Sequence, residues 1–408
     1  MVIGGDLWIS DVTMVDGTRV DIRIDAGMVA KVHPTGEDRA PETHPIYRGQ
    51  GWLVHGALVE PHAHLDKAYL AERAPNPSGD LMGAIEAMQS VRHTTDEADI
   101  VSRADRAVDA FLARGTLRIR THADTTLDNG YRSIDALVSL RDRRRSEADI
   151  QVAALLDWPL TGRDATARRA MAREAVDRGA DLIGGCPHLD DDPRAAVEWL
   201  LDEALDLGVA LDLHADENMR PDSRDLEMIA DVMLERGVSH PVTASHCVSL
   251  SAASGDEIRR VADKVALAGI SVVSLPQTNL FLQGRGSETA RPRGIAPVRA
   301  LARAGVIVAA GGDNMQDPFH PFGKADPYEV AALMVLSAHV PVVDALDMVT
   351  GAAVSATGGR PSGPAPGHVA DLVLVPRRDV RSTLAESPYR RTVIRSGRVA
   401  RDANSDRK

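Results

Sequence analysis

Eight times along this chain a short apolar run ends in polar or ionisable residues and gives way to an amphipathic stretch, and this repetition limits the fold more than any other feature. The runs are GALVEPHAH, LRIRTHADT (117–125), IQVAALLDW (150–158), DLIGGCPH (181–188), VALDLHADE (209–217), PVTASHC (241–247), ISVVSLPQT (270–278) and VIVAAGGDN (306–314). Between them lie helix candidates such as ATARRAMAREAVDRG, DPRAAVEWLLDEALDLG, DSRDLEMIADVMLERG and IAPVRALARAG. Asp and Pro near their starts and Gly at their ends are the residues that open and close helices. Eight strand–helix units within roughly 250 residues predict an α/β fold, a parallel (β/α)₈ TIM barrel. A doubly wound sheet needs a Gly-rich phosphate turn after an early strand, and none follows here. The polar residues close the runs at their carboxyl ends, where barrel enzymes keep their active sites.

The flanks read differently. Up to about Gly56 the chain shows short strands and turn signals: DLWISDVTMV, DGTR and VDIRIDAGMVAKV. After the Gly/Pro-rich GGRPSGPAPGH (358–368), HVADLVLVP, YRRTVIRSG and RVARD repeat that character. Short sheets need partners for their edges, so the two ends are expected to form a small β-sandwich domain, residues 1–56 plus 357–408. The catalytic barrel is expected over 57–356.

With 408 residues, 44% of them hydrophobic, the chain can bury one large core and a smaller one. Its 47 Lys and Arg against 59 Asp and Glu give a net charge of −12, which argues against nucleic acid or an anionic membrane and favours a small-molecule partner. Cys186 and Cys247 lie in or beside apolar runs and read as buried, reduced thiols. The first twenty residues alternate like a strand rather than a signal peptide. No run approaches the ~20 apolar residues of a membrane helix, so a cytoplasmic location is expected. Homo-oligomer formation is left open.

Within VEPHAHLDK, His62 and His64 stand two residues apart, which on a strand puts both imidazoles on one face. An isolated His-x-His is weak evidence of a metal site, since it is more often a surface or packing accident; Asp313 alone could cap a helix, and Glu217 alone could be a solvated loop charge. Four run ends together carry more weight. His62, His64, His214 and Asp313 would give one divalent ion three nitrogens and a carboxylate, with a position left for water. His246 and Glu217 remain as the titratable groups for proton transfer.

These segments resemble the amidohydrolase superfamily, specifically its cytosine deaminase-like branch with one metal. The resemblance rests on VEPHAHLDK, HADE with a following SR, TASHC, LPQTNLFLQGR with a later PRG, and GGDNMQDPFHPFG, and it spans nearly the whole chain. It implies that His62, His64, His214 and Asp313 bind one Zn²⁺ or Fe²⁺. It further implies that His246 orients and deprotonates water, that Glu217 protonates the heterocycle, and that Asp313 passes a proton to the departing amine. The activity implied is loss of ammonia or an amine from an amino-substituted nitrogen heterocycle. No Lys closes the fourth run, which supports a single metal.

Two positions depart from cytosine deaminases. LLDWP places Asp157 where those enzymes read the pyrimidine with glutamine, and a carboxylate only accepts hydrogen bonds. Asn314 replaces a second aspartate, which is similar to relatives acting on alkylamino s-triazines. Substrate contacts are expected from Asp157, Trp158, Gln277, Asn314 and Phe319. The alternatives are hydrolysis of a cyclic or exocyclic amide by the same water, or a metal-binding scaffold without turnover.

Overall fold

In the computed structural model of the protein, which describes residues 4–163 and 165–403, all eight runs are strands. The outermost residues of the expected terminal domain, 1–3 and 404–408, lie outside that range. The strands Leu58–Ala63, Thr116–Thr125, Asp149–Leu156, Leu182–Gly185, Ala210–Ala215, Val242–His246, Ser271–Ser274 and Val308–Ala310 form one sheet in chain order, each parallel to the next. Nearly every residue in them is buried, because one face turns to the barrel interior and the other is covered by helices. The run reading is thereby explained: strands without a wet face lose the alternation of open sheets.

Closure happens at the residues of greatest chemical interest. Asp313, just past the eighth strand, bridges in parallel to Ala63; its N–H donates to His62 O at 3.0 Å, and His64 N–H donates to Asp313 O at 3.2 Å. Glu60 holds the same seam, accepting from Gly312 N at 3.0 and 2.9 Å and from His62 N at 3.2 Å. A Cβ on Gly311 would lie 2.5 Å from Glu60 Oε1, so the glycine before the seam is required by close approach.

One helix begins and ends as its sequence predicts, and another takes its cap from an earlier turn. Pro193–Leu207 is opened by Asp192, whose side chain accepts from Ala195 N, and closed by Gly208 at φ 67°. Asp225–Arg236 is opened by Asp216, which accepts from Asp225 N at 2.8 Å and Leu226 N at 3.0 Å. Two helices separate the first and second strands, Leu81–Val91 and Glu97–Ala113; the first lies over the mouth of the barrel.

Both ends of the sequence build a separate seven-stranded sheet. At its centre Ile46–Gly56 pairs antiparallel with Leu372–Val375, His55 opposite Val373 and Val54 opposite Leu374. Ile9, Ile22, Ile24, Val54, Leu372 and Ile394 form its apolar core. A buried polar latch joins this sheet to the barrel. His55 Nε2 lies 2.5 Å from Tyr328 OH on the helix Pro327–Ala338, and the Arg391 guanidinium covers the Tyr328 ring at 4.0 Å while donating to both Asp326 oxygens. Among the described residues no helix is long and apolar enough to cross a membrane.

Candidate active site

The barrel mouth gathers His62, His64, His214, His246, Asp313 and Glu217, from four strand ends. His62 Nε2 and His64 Nε2 lie 3.6 and 3.3 Å from Asp313 Oδ1, and His214 Nε2 lies 3.2 Å from His64 Nε2. Donor atoms of His62, His64 and Asp313 all fall within 4.8 Å of one another, as do those of His62, His214 and His246.

The donor set fits a cation. His62 Nε2, His246 Nε2 and both Asp313 carboxylate oxygens are buried without a hydrogen-bond partner among the described residues. Leaving such groups unpaired costs about 1–3 kcal/mol each, and a cation shared between the ligand atoms removes that cost. Burial, then the neighbouring imidazoles, holds His62 and His214 well below the usual imidazole range, so both offer neutral nitrogens at pH 7. Burial pushes the Asp313 carboxyl up, but His64 and His246 outweigh it and keep it below its ordinary value.

Beside this cluster stands an acid–base pair. Glu217 Oε2 lies 3.6 Å from His246 Nε2. Burial, and then the charge of Asp313, raises the Glu217 carboxyl well above the usual range, which favours its protonated form. Burial lowers His246 to about 4, which leaves it neutral and able to take a proton. The backbone helps to aim these groups: Asp216, His246 and Asp313 hold φ of 54°, 68° and 65°, left-handed conformations that non-glycine residues adopt at a cost. The turn at Asp216 spends that side chain on capping a helix and leaves Glu217 facing the cavity.

Of the five expected substrate contacts, Trp158, Asn314 and Phe319 line the cavity; Asp157 and Gln277 are not among its lining residues. Asp157 accepts from Arg168 Nε at 3.5 Å. Asn314 accepts from Thr278 Oγ1 at 3.2 Å and donates to Asp317 Oδ2 at 2.8 Å, which ties down its own loop. The carboxylate that does face the cavity beside the cluster is Asp124, with Lys67 Nζ at 2.7 Å and an Arg92 nitrogen at 3.4 Å. Burial raises Asp124, but Lys67 and Arg92 overcome it and hold the carboxyl at about 2.

Sequence reasoning passed over Asp124, although two-residue alternation from His122 puts it on the same face. It also passed over Leu81, Ile85, Met88 and Arg92, which line the cavity at spacings of four, three and four, one stripe of a helix. Two further histidines stand beside the cluster. His122 packs at 4.1 Å from His62 and 4.8 Å from His214 between ring centroids. His188 Nδ1 braces the His214 carbonyl at 3.1 Å.

A closed parallel barrel that concentrates imidazoles and one carboxylate at its carboxyl-terminal mouth, with a buried glutamate alongside, defines a metal-dependent barrel hydrolase. The chain belongs to the amidohydrolase family, whose sequence profile matches residues 79–401. It is 33% identical over 386 residues to a pterin deaminase of Rhizobium rhizogenes, covering 93% of this chain and 87% of that one. The crystal structure of 5-methylcytosine deaminase from Klebsiella pneumoniae with 5-fluorocytosine superposes with a TM-score of 0.88 at 26% identity, over 97% of each chain. N-isopropylammelide isopropylaminohydrolase from Burkholderia multivorans gives 0.84 at 30% identity, over 98% of this chain and 99% of that one.

Proposed function

We propose that this amidohydrolase removes ammonia or an amine from an amino-substituted nitrogen heterocycle by hydrolysis, with pterins the first class to test. The observation that carries this reading is the meeting of His64, His214, His246, Asp313 and Glu217 in one cavity, with His62 in the same cluster of donor atoms. The choice of pterins is supported by the pterin deaminase similar over most of the chain, and by cavity walls of Leu81, Ile85, Met88, Trp158 and Phe319 suited to a flat ring.

His62, His64, His214 and Asp313 would hold one divalent ion, either Zn²⁺ or Fe²⁺, since this donor set accepts both. When bound, such an ion supplies Lewis acidity and a water nucleophilic near neutral pH. His246, neutral and 3.6 Å from Glu217, takes the proton from the attacking water. Glu217, protonated, donates to the ring nitrogen beside the carbon under attack, which makes that carbon more electrophilic. Asp313 takes the second proton of the attacking water and passes it to the nitrogen that leaves, while His246 returns the first to Glu217, so that the amine departs with both water hydrogens accounted for. Asp124, held ionised by Lys67 and Arg92, accepts from N–H groups on the ring edge, and Arg92 donates to a ring carbonyl. We place the protein in the cytoplasm, and we assign catalysis to residues 57–356, with 1–56 and 357–408 forming the second domain.

The test is a panel of pterins, aminopyrimidines, aminotriazines and cyclic guanidines incubated with metal-loaded protein. Released ammonia or amine with the ring intact is the expected result. A new carboxylate without amine release would instead make the protein a cyclic amide hydrolase.

A further inference from the structure

Beneath the imidazole cluster the barrel interior holds a charged pair, where branched apolar residues ordinarily fill the space. Arg120 donates from one terminal nitrogen to Asp212 Oδ2 at 2.7 Å and to Thr243 Oγ1 at 3.1 Å, and all three residues are buried. A buried ion pair of this kind adds little stability over well-packed apolar residues, so its use is to be sought in what it touches. Strand alternation puts Asp212 and His214 in one inward row and Thr243 and Ser245 in the next, and the register sets His214 beside Ser245. Ser245 Oγ reaches two groups: it donates to Asp212 Oδ1 at 3.4 Å, and it lies 2.9 Å from His62 Nδ1.

We propose that Ser245 is a positioning residue that fixes the ring and tautomer of His62, with Asp212 and Arg120 fixing Ser245 in turn. This inference rests on the metal-site reading above. A carboxylate only accepts, so Asp212 takes the hydroxyl hydrogen of Ser245. That leaves the Ser245 oxygen lone pairs facing His62 Nδ1, and the imidazole must put its own hydrogen there. Its Nε2, buried and without a hydrogen-bond partner, is then the bare nitrogen turned toward Asp313 and the other ligands. The other two imidazoles lack such a relay. His64 Nδ1 lies 3.0 Å from Lys67 Nζ, and His214 Nδ1 has no hydrogen-bond partner among the described residues. Carboxylate partners that orient a ligating histidine typically carry about 10–100-fold in metal affinity, and here the hydroxyl passes that influence across one extra step.

Zn²⁺ affinity of the metal-free full chain, read by competition with a chromophoric chelator, tests this for the wild type, Ser245→Ala and Ser245→Thr. Ser245→Ala is expected to bind Zn²⁺ about 10–100-fold more weakly, while Ser245→Thr, which keeps the hydroxyl, stays near wild type. Wild-type affinity in Ser245→Ala overturns the relay, as does a Ser245→Thr protein as weak as Ser245→Ala. If the wild type itself binds no Zn²⁺, the metal-site reading and the relay fall together; tight binding by both wild type and Ser245→Ala removes the relay alone.

Discussion

Glu217 combines two properties that rarely coexist in a carboxyl group: deep burial and a nearby negative charge at Asp313, both of which favour its protonated form. Both push it toward the role of an acid rather than that of a base. Glu217→Gln keeps the shape and removes the transferable proton, so turnover should fall by about 10²–10⁴-fold. Metal content measured by atomic absorption should not change; a variant that keeps wild-type kcat would remove Glu217 from the mechanism. Stripping the protein with a chelator should abolish turnover in the same assay, and adding back Zn²⁺ or Fe²⁺ should restore it. The histidines, Glu217 and Asp313 could be picked out from sequence because each ends an apolar run, and in a parallel barrel that position is the mouth. Asp157 ends a run too, yet it lies outside the cavity lining and pairs with Arg168. Position along a strand is readable from a sequence; the direction of a side chain after the last strand residue depends on the loop, and the loop is set by tertiary contacts.

At the scale of elements, the helix Leu81–Val91 was the least legible part of the site. It belongs to no strand end, and its apolar face, read alone, looks like any amphipathic helix seeking a core. In the structure that face helps to roof the cavity, with Ile85 and Met88 beside the apolar wall and Arg92 just beyond the helix end. Shortening both apolar side chains by Ile85→Ala with Met88→Ala should lower kcat/KM by about 10-fold or more, mainly through KM, because contact with the ring is lost without touching the proton-transfer groups. Steady-state kinetics on the best substrate of the panel decide this; an unchanged KM would move the ring away from this helix. The barrel strands and their helices were legible for the opposite reason. Asp, Pro and Gly mark their ends by local chemistry that needs no tertiary context, as Asp192 and Gly208 do around Pro193–Leu207.

For the molecule as a whole, the latch between sheet and barrel carries a pH dependence. Burial lowers His55 to about 4 from an ordinary 6.5, with its Nδ1 donating to Gly56 O at 2.6 Å and its Nε2 accepting from Tyr328. Below pH 6.5 the unfolded chain takes up a proton at this residue, while the folded protein does not until about pH 4. The contribution is therefore full above 6.5, shrinks as pH falls, and levels off near 4. Between pH 7 and pH 5 the wild type should lose about 2 kcal/mol that His55→Gln does not. Denaturant unfolding at both pH values checks this, and parallel losses in the two proteins would take the latch out of the pH response. The pairing of the two flanks into one sheet was legible in their shared short-strand character. The latch was not, because His55, Tyr328 and Arg391 are remote in the chain and none of them sits in a motif.

Because Ile46–Gly56 pairs on one edge with Leu7–Thr13 but on the other with Leu372–Val375, a ribosome making this protein exposes a half-built sheet edge for more than three hundred residues of elongation. Premature termination anywhere before Leu372 leaves that edge open for good. An unpaired edge is a handle for chaperones, proteases and other nascent chains, so quality control has a direct physical signal that translation of this protein stopped short.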